Sequence, residues 1–259
     1  MTADFRVDRL WPDPAPDLDL DAAYADRRLP EPPVGRPWVG VNMVTSIDGR
    51  AQLSGTADGL AGRADRRLMR LLRLPYDAVA SGAGTLRTDG NVWLRVPADL
   101  AARRVQRGLP PQPTTIVIAG SSPVPLDAGW LRGDEPRVLV VGSDSPHAGD
   151  GAAPLPPGTE LLVAPTPRPA VTWLLDRLAA RGIRSVLFEG GPTTNAVLLA
   201  ADAIDELHWT IGPILLGTDA LGMIAAIPGG SPWALQPRRG RLASVHRHAD
   251  ELFVTYRFG

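Results

Sequence analysis

The sequence predicts an α/β protein: a mixed, mostly parallel sheet flanked by helices, with an antiparallel C-terminal hairpin. Three observations carry this. Short apolar runs such as Val186-Leu187-Phe188 alternate with helix-periodic segments between residues 38 and 200, as parallel strands covered on both faces require. Beyond residue 205 strand-like stretches follow one another, the last two separated only by Ala249-Asp250, a hairpin-length connection. Several strands end in Gly, Ser or Thr, which places turn-forming, ligand-accessible residues along one sheet edge.

Composition narrows the chemistry. The 259 residues carry a formal charge of −1 and no cysteine, which excludes disulfides, thiolate nucleophiles and Cys-ligated zinc. All 27 basic residues are arginine, so neither a P-loop lysine nor a Schiff-base lysine is available. The charge gives no footprint for nucleic acid, and no apolar run reaches the roughly 18 residues of a membrane span. With no signal-peptide pattern at the start, a cytoplasmic protein acting on small molecules is expected. His246 and His248 share a strand face but lack a third ligand nearby, so no metal site is expected. The G-x-S-x-G elbow is absent, and no Ser-His-Asp set has convincing spacing.

Residues 1–37 read as an N-terminal leader with a short helix near Asp17–Ala25, where Leu20 and Tyr24 lie four apart and can dock on the main body. Residues 38–259 form the main domain, beginning with a strand at Trp38–Val44. Asn42 in this strand is either a structural hydrogen-bonder or a ligand contact. Ser46-Ile47-Asp48-Gly49 reads as a turn, and the small-residue loop to Gly62 as a lid. A helix follows from about Ala64, with Asp65 in its first turn and Arg66, Arg67, Arg70 and Arg73 along its rim. The strand Asp77–Ser81 runs into a turn holding Gly82, Gly84 and Thr85, short of a full G-x-G-x-x-G fingerprint. Further strands end at Ser121-Ser122 and Ser143, and a helix over Val171–Arg181 stops at Gly182. Ser185–Asn195 is then a strand that ends in Glu189, two glycines and a helix opening on Pro192. Amides at that helix start form an anion site. Glu189 beside them would repel phosphate, and suits an uncharged, donor-bearing part of a second ligand.

Taken in order, Asn42-Met43-Val44-Thr45-Ser46-Ile47-Asp48-Gly49, Gly82-Ala83-Gly84-Thr85, Glu189-Gly190-Gly191-Pro192-Thr193, Asp205-Glu206-Leu207 and Gly212–Gly217 resemble the riboflavin-pathway pyrimidine reductases. These are the C-terminal reductase half of bifunctional deaminase-reductases and have a dihydrofolate-reductase-like fold. The resemblance implies a stand-alone, divergent actinobacterial-type reductase that uses NADPH to turn the ribosyl group of 5-amino-6-(5-phosphoribosylamino)uracil into ribityl, and that forms a homodimer. It implies cofactor contacts at Val44, Gly82, Gly84, Thr85, Asp89, Gly190, Gly191, Pro192, Thr193 and Thr194; Ser121 and Ser122, from their place at a strand end, are expected toward the adenosine phosphate. Asn42, Ser46, Arg73 and Glu189 fall on its substrate side, Arg73 facing the phosphate, and Asp48, Glu189 and Asp65 are the candidate catalytic acids. The chain departs from the family pattern at Ala57, Gly59 and Asp89-Gly90-Asn91, and Arg95 is one position out of register. Two alternatives remain open: an NADPH-dependent reductase of a pterin such as dihydrofolate, with Asp65 facing the ring, and a non-catalytic nucleotide-binding module.

Overall fold

A computed structural model describes residues 5–89, 93–126, 129–149, 151–217, 220–225 and 237–259. In chain order its elements are β1 (Arg6–Trp11), β2 (Ala15–Asp19), α1 (Leu20–Ala25), β3 (Trp38–Thr45), α2 (Arg63–Leu72), β4 (Ala78–Gly82), α3 (Ala83–Asp89), α4 (Ala98–Gln106), β5 (Thr114–Gly120), β6 (Arg137–Val141), β7 (Thr159–Val163), α5 (Val171–Ala179), β8 (Ser185–Phe188), α6 (Pro192–Ala200), β9 (Glu206–Ile211), β10 (Arg241–His248) and β11 (Glu251–Arg257).

The strands form one sheet in the order β2-β1-β10-β11-β9-β3-β8-β4-β5-β6-β7. Pairing is parallel from β9 through β3, β8, β4, β5 and β6 to β7, and antiparallel from β9 outward through β11, β10, β1 and β2. The mixed, mostly parallel sheet with an antiparallel C-terminal hairpin is therefore present. Alternating residues of the central strands feed two apolar layers. Val39, Val41, Val186 and Phe188 pack with Leu174, Leu178 and Leu198 of α5 and α6 on one face. Trp38, Leu187 and Phe253 pack with Leu68, Leu71 and Leu72 of α2 on the other.

The leader does more than its sequence announced. The short helix is there, capped where the Asp19 carboxylate accepts from the Ala22 amide at 2.8 Å, but two strands precede it and extend the sheet. Neither has strand-like composition. Val7 alone of β1 is fully buried, and β2 contains Pro16, which an edge strand tolerates because its outward amide needs no partner. What makes β1 a strand is pairing with β10, as in Arg9 opposite His246.

Beyond α1, Arg27 reaches the fully buried Glu206, whose other oxygen takes Arg257 at 3.0 Å. Arg27→Ala is expected to lower stability, because burying Glu206 with one guanidinium removed leaves its charge only half compensated. Chemical denaturation measures this, and an unchanged midpoint would show that Arg257 alone suffices.

Candidate functional site

The carboxyl ends of β4 and β8 lie side by side, and their glycine turns interlock. The Gly82 amide donates to the Gly190 carbonyl at 3.2 Å, and the Glu189 amide to Ala80 at 2.8 Å. A Cβ on Gly82 would come within 2.9 Å of Thr194 Oγ1, and one on Gly191 within 3.2 Å of Thr85 Oγ1. Gly190 has φ +79°, a left-handed conformation that glycine alone adopts without cost; the Gly190–Gly191 peptide is cis. Pro192 opens α6, which has no side-chain cap, so the amides of Thr193 and Thr194 keep no backbone acceptor among the described residues. Gly84 and Thr193 are exposed, Thr85 and Thr194 half-buried. This glycine-lined edge with outward amides suits the pyrophosphate of a dinucleotide.

On the α2 face of the same edge, Glu189 meets Arg73 in a bidentate pair with both contacts at 2.6 Å. The other end of that guanidinium donates to the Trp93 carbonyl at 2.7 Å and to the Arg95 carbonyl. Arg73 is 2% exposed. Four of its five N–H donors are committed inside the protein, where they hold Glu189 and the loop before α4, so the expectation that it faces a substrate phosphate rests on at most one remaining N–H. Burial drives the Asp65 carboxyl up to about 6 against a hydrogen bond from Thr210, and the charges of Glu251 and Glu189 push the same way. Asp65, Glu189 and Glu251 thus share one partly desolvated corner. Glu251 accepts from the Gly62 amide, and its Oε2 is buried with no hydrogen-bond partner.

Two further candidates on the substrate side are occupied with the fold. Ser46 is fully buried, donating to Asp48 at 2.6 Å and accepting from the Arg50 amide at 2.9 Å. Asp48 also accepts from the amides of Leu216 and Gly217 at 3.1 and 2.8 Å. The Ser46 hydroxyl and these amides hold its carboxyl down at about 2. Its role as a catalytic acid is corrected to that of a clasp between the β3 turn and the loop after β9, because a permanently ionised carboxylate with such donors has no proton to give.

Asn42 lines a small cavity beneath α2 with Tyr24, His208, Thr210 and Thr255, and Val44 lies beside Thr210 in the β3–β9 ladder. At the end of β5 the Ser121 hydroxyl donates to Asp144 and to the Pro167 carbonyl at 3.1 Å. Its donor is therefore not free for a phosphate, whereas half-buried Ser122 has no such bond among the described residues. Asp89 ends α3 and its side chain, like Gly90 and Asn91, lies outside the described residues. The residue that sequence reasoning missed is Glu251: its position opening β11 carried no sign that the hairpin folds it back over the start of α2.

Burial lowers His208 and His246 to about 4, helped by the Arg27 and Arg9 charges respectively. Between that value and the ordinary histidine range the unfolded chain binds two protons that the native state refuses, so stability falls on acidification. Asp65, raised to about 6, keeps one proton in the native state that the unfolded state has released, and opposes one of the two. A net loss of at least about 1.4 kcal/mol per pH unit is expected on lowering pH from about 6 toward 4, steeper at the acid end where Glu206, held down in the native state, takes up a proton only when unfolded. Denaturation midpoints across that range test it, and a flat profile would refute the assignment.

Residues 37–232 match the RibD C-terminal domain family. The chain is 31% identical over 184 residues to the 2,5-diamino-6-ribosylamino-4(3H)-pyrimidinone 5′-phosphate reductase of Archaeoglobus fulgidus, covering 70% of this chain and 83% of that protein. It is 32% identical to the riboflavin biosynthesis protein RibD of Mycobacterium tuberculosis over 71% of this chain, which spans 44% of that longer protein. In fold it is similar to a pyrimidine reductase-like protein from Corynebacterium diphtheriae, with TM-score 0.72, 22% identity, and 86% and 92% of the two chains covered. With more than half its length matched in this way, the chain belongs to the RibD C-terminal domain family.

Proposed function

We propose that the chain is an NADPH-dependent reductase of riboflavin biosynthesis that converts the ribosyl group of a phosphoribosylaminopyrimidine to ribityl. The observation that carries this reading is the pair of interlocked glycine turns opening beside the buried Glu189 carboxylate. Gly82, Gly84, Gly190 and Gly191 would admit the pyrophosphate, and Thr85, Thr193 and Thr194 would donate to it. The cofactor supplies the hydride, so the chain needs no nucleophile of its own. Glu189, with both oxygens fixed by Arg73, orients a donor-bearing part of the substrate. We further propose a homodimer; light scattering of the dilute protein tests it, and a monomer would refute it.

NADPH oxidation with the ribosylaminopyrimidine phosphate, set against dihydrofolate at equal concentration, tests the substrate class. Preferential reduction of the pyrimidine is expected. A second reading, a pterin-type reductase, is favoured by Asp65 alone, which is raised into the range where a carboxyl still holds a proton near neutrality. Saturable NADPH binding without reduction of either compound would leave a nucleotide-binding module. If Asp65 supplies a proton, kcat/KM falls as pH rises through about 6. Asp65→Asn is expected to abolish that fall, because an amide does not ionise there; a persisting fall would assign it to another group.

A further inference from the structure

The corner shared by Asp65, Glu189 and Glu251 is rich in hydrogen-bond acceptors. Glu251, 8% exposed, opens β11 and accepts from the Gly62 amide, while its Oε2 is buried with no hydrogen-bond partner. Three residues beyond Gly62, Asp65 stands half-buried in the first turn of α2. Its carboxylate takes the Thr210 hydroxyl and forms no ion pair among the described residues. The charges of Glu251 on β11 and Glu189 after β8 bear on it, and Arg66 on its own helix opposes them. A carboxylate has about four lone-pair sites, so Asp65 keeps room for further donors. Among the described residues no group of three or more acidic or histidine side chains could hold a metal ion. The group this corner lacks is one that brings N–H donors.

Glu189 ties the corner to the cofactor edge. Its amide is held to Ala80 beside the interlocked glycine turns, and its charge acts on Asp65. A substrate bound at Glu189 therefore comes within the field of Asp65 and Glu251. A phosphoribosylaminopyrimidine can differ at C2 of its ring. With an amino group there, N3–H and the amino group are adjacent donors that match the two oxygens of one carboxylate. With an oxygen there, the second donor is replaced by an acceptor that faces fixed negative charge. Acceptors left facing an acceptor discriminate strongly, because neither side is paired.

We propose that Asp65 reads the C2 substituent of the substrate ring and, aided by the charge of Glu251, selects a 2-amino-4(3H)-pyrimidinone over the 2-oxo ring of a uracil. The inference rests on the reduction of a phosphoribosylaminopyrimidine proposed above, and it names the ring. Burial, with the charges of Glu251 and Glu189, raises Asp65 to about 6. Above that pH the carboxylate accepts from both donors; below it the protonated carboxyl donates to a C2 oxygen instead, and the preference shrinks.

Two ring fragments that differ at C2, 2,5,6-triamino-4(3H)-pyrimidinone and 5,6-diaminouracil, are titrated calorimetrically into the full chain in the presence of NADP⁺, and kcat/KM is measured for the two corresponding phosphoribosyl compounds. The triamino ring is expected to bind at least about tenfold more tightly than the uracil above neutrality, with the margin closing as pH falls through about 6. Asp65→Asn presents one acceptor and one donor, the pattern of the uracil edge, and should invert the preference; a merely structural role would weaken both rings alike. Glu251→Gln keeps an acceptor for the Gly62 amide but removes the charge, and should narrow the preference and lower the pH at which it sets in. Equal affinity for the two rings, an Asp65→Asn variant that keeps the wild-type order, or a Glu251→Gln variant unchanged at every pH would overturn the proposal. If neither phosphoribosyl compound is reduced yet the rings bind in this Asp65-dependent order, the ring recognition stands and the reductase reading falls. Reduction of both compounds with equal kcat/KM sinks the recognition and leaves the reductase reading in place.

Discussion

Replacing Arg73 with methionine is expected to destabilise the whole protein rather than merely weaken a ligand. The guanidinium is 2% exposed, and it satisfies both oxygens of Glu189 at 2.6 Å together with the carbonyls of Trp93 and Arg95. Removing one member of such a pair leaves an uncompensated buried charge, at a cost of about 3–5 kcal/mol. In a chain of this size that corresponds to a fall in Tm of roughly 6–20 °C. Arg73→Met/Glu189→Met removes both charges and should recover most of the loss, since apolar replacement of an entire buried pair is often neutral. Thermal melts of the two variants check this. A single variant melting with the wild type would mean that Glu189 finds water or another donor, and that the pair is not needed by the fold.

Gly212→Ala should be comparably severe for a different reason. A Cβ there would overlap the carbonyl oxygen of Leu60, a backbone atom with no rotamer to yield, while the Gly212 amide is itself held to Thr45 at 2.8 Å. Either the loop after β9 or the segment leading into α2 must move. Overpacking of this kind costs about 1–3 kcal/mol and occasionally more, and the upper end is expected because both sides are main chain. Displacing Leu60 also drags Gly62, whose amide binds Glu251, so the corner holding Asp65 should lose its geometry and activity should drop further than stability alone explains. Gly149→Ala, where a Cβ meets nothing within 4 Å, is the matched control. Equal melting points for the two variants would show that the close approach at Gly212 relaxes freely.

The legible parts of this protein were those encoded by neighbours in the chain. The run Val186-Leu187-Phe188 followed by two glycines and a proline dictates a buried strand, an unusual turn and a helix start whatever surrounds it, and the structure has each of these. The apolar spacing of Leu68, Leu71 and Leu72 likewise fixes the buried face of α2. The two leader strands were not legible, because their own composition is not strand-like and the hairpin they form with each other is held in the sheet by pairing of β1 with residues 245–247, more than two hundred positions away. The roles of individual polar side chains were hidden for the same reason. Asp48 was read beside Gly49 as a turn acid with a catalytic option, yet the amides it accepts from are at Leu216 and Gly217.

By itself, the sequence determined the sheet's parallel half, the glycine-lined edge and the exclusion of cysteine and lysine chemistry, because secondary-structure periodicity and residue inventory are local properties. Only the tertiary structure decided that Arg73 pairs with Glu189 while Arg63, Arg66 and Arg70 form no ion pair among the described residues. Arginines on one helix look alike along the chain. Whether a given guanidinium is an internal tie or an exposed rim charge depends on which distant carboxylate the fold brings within reach.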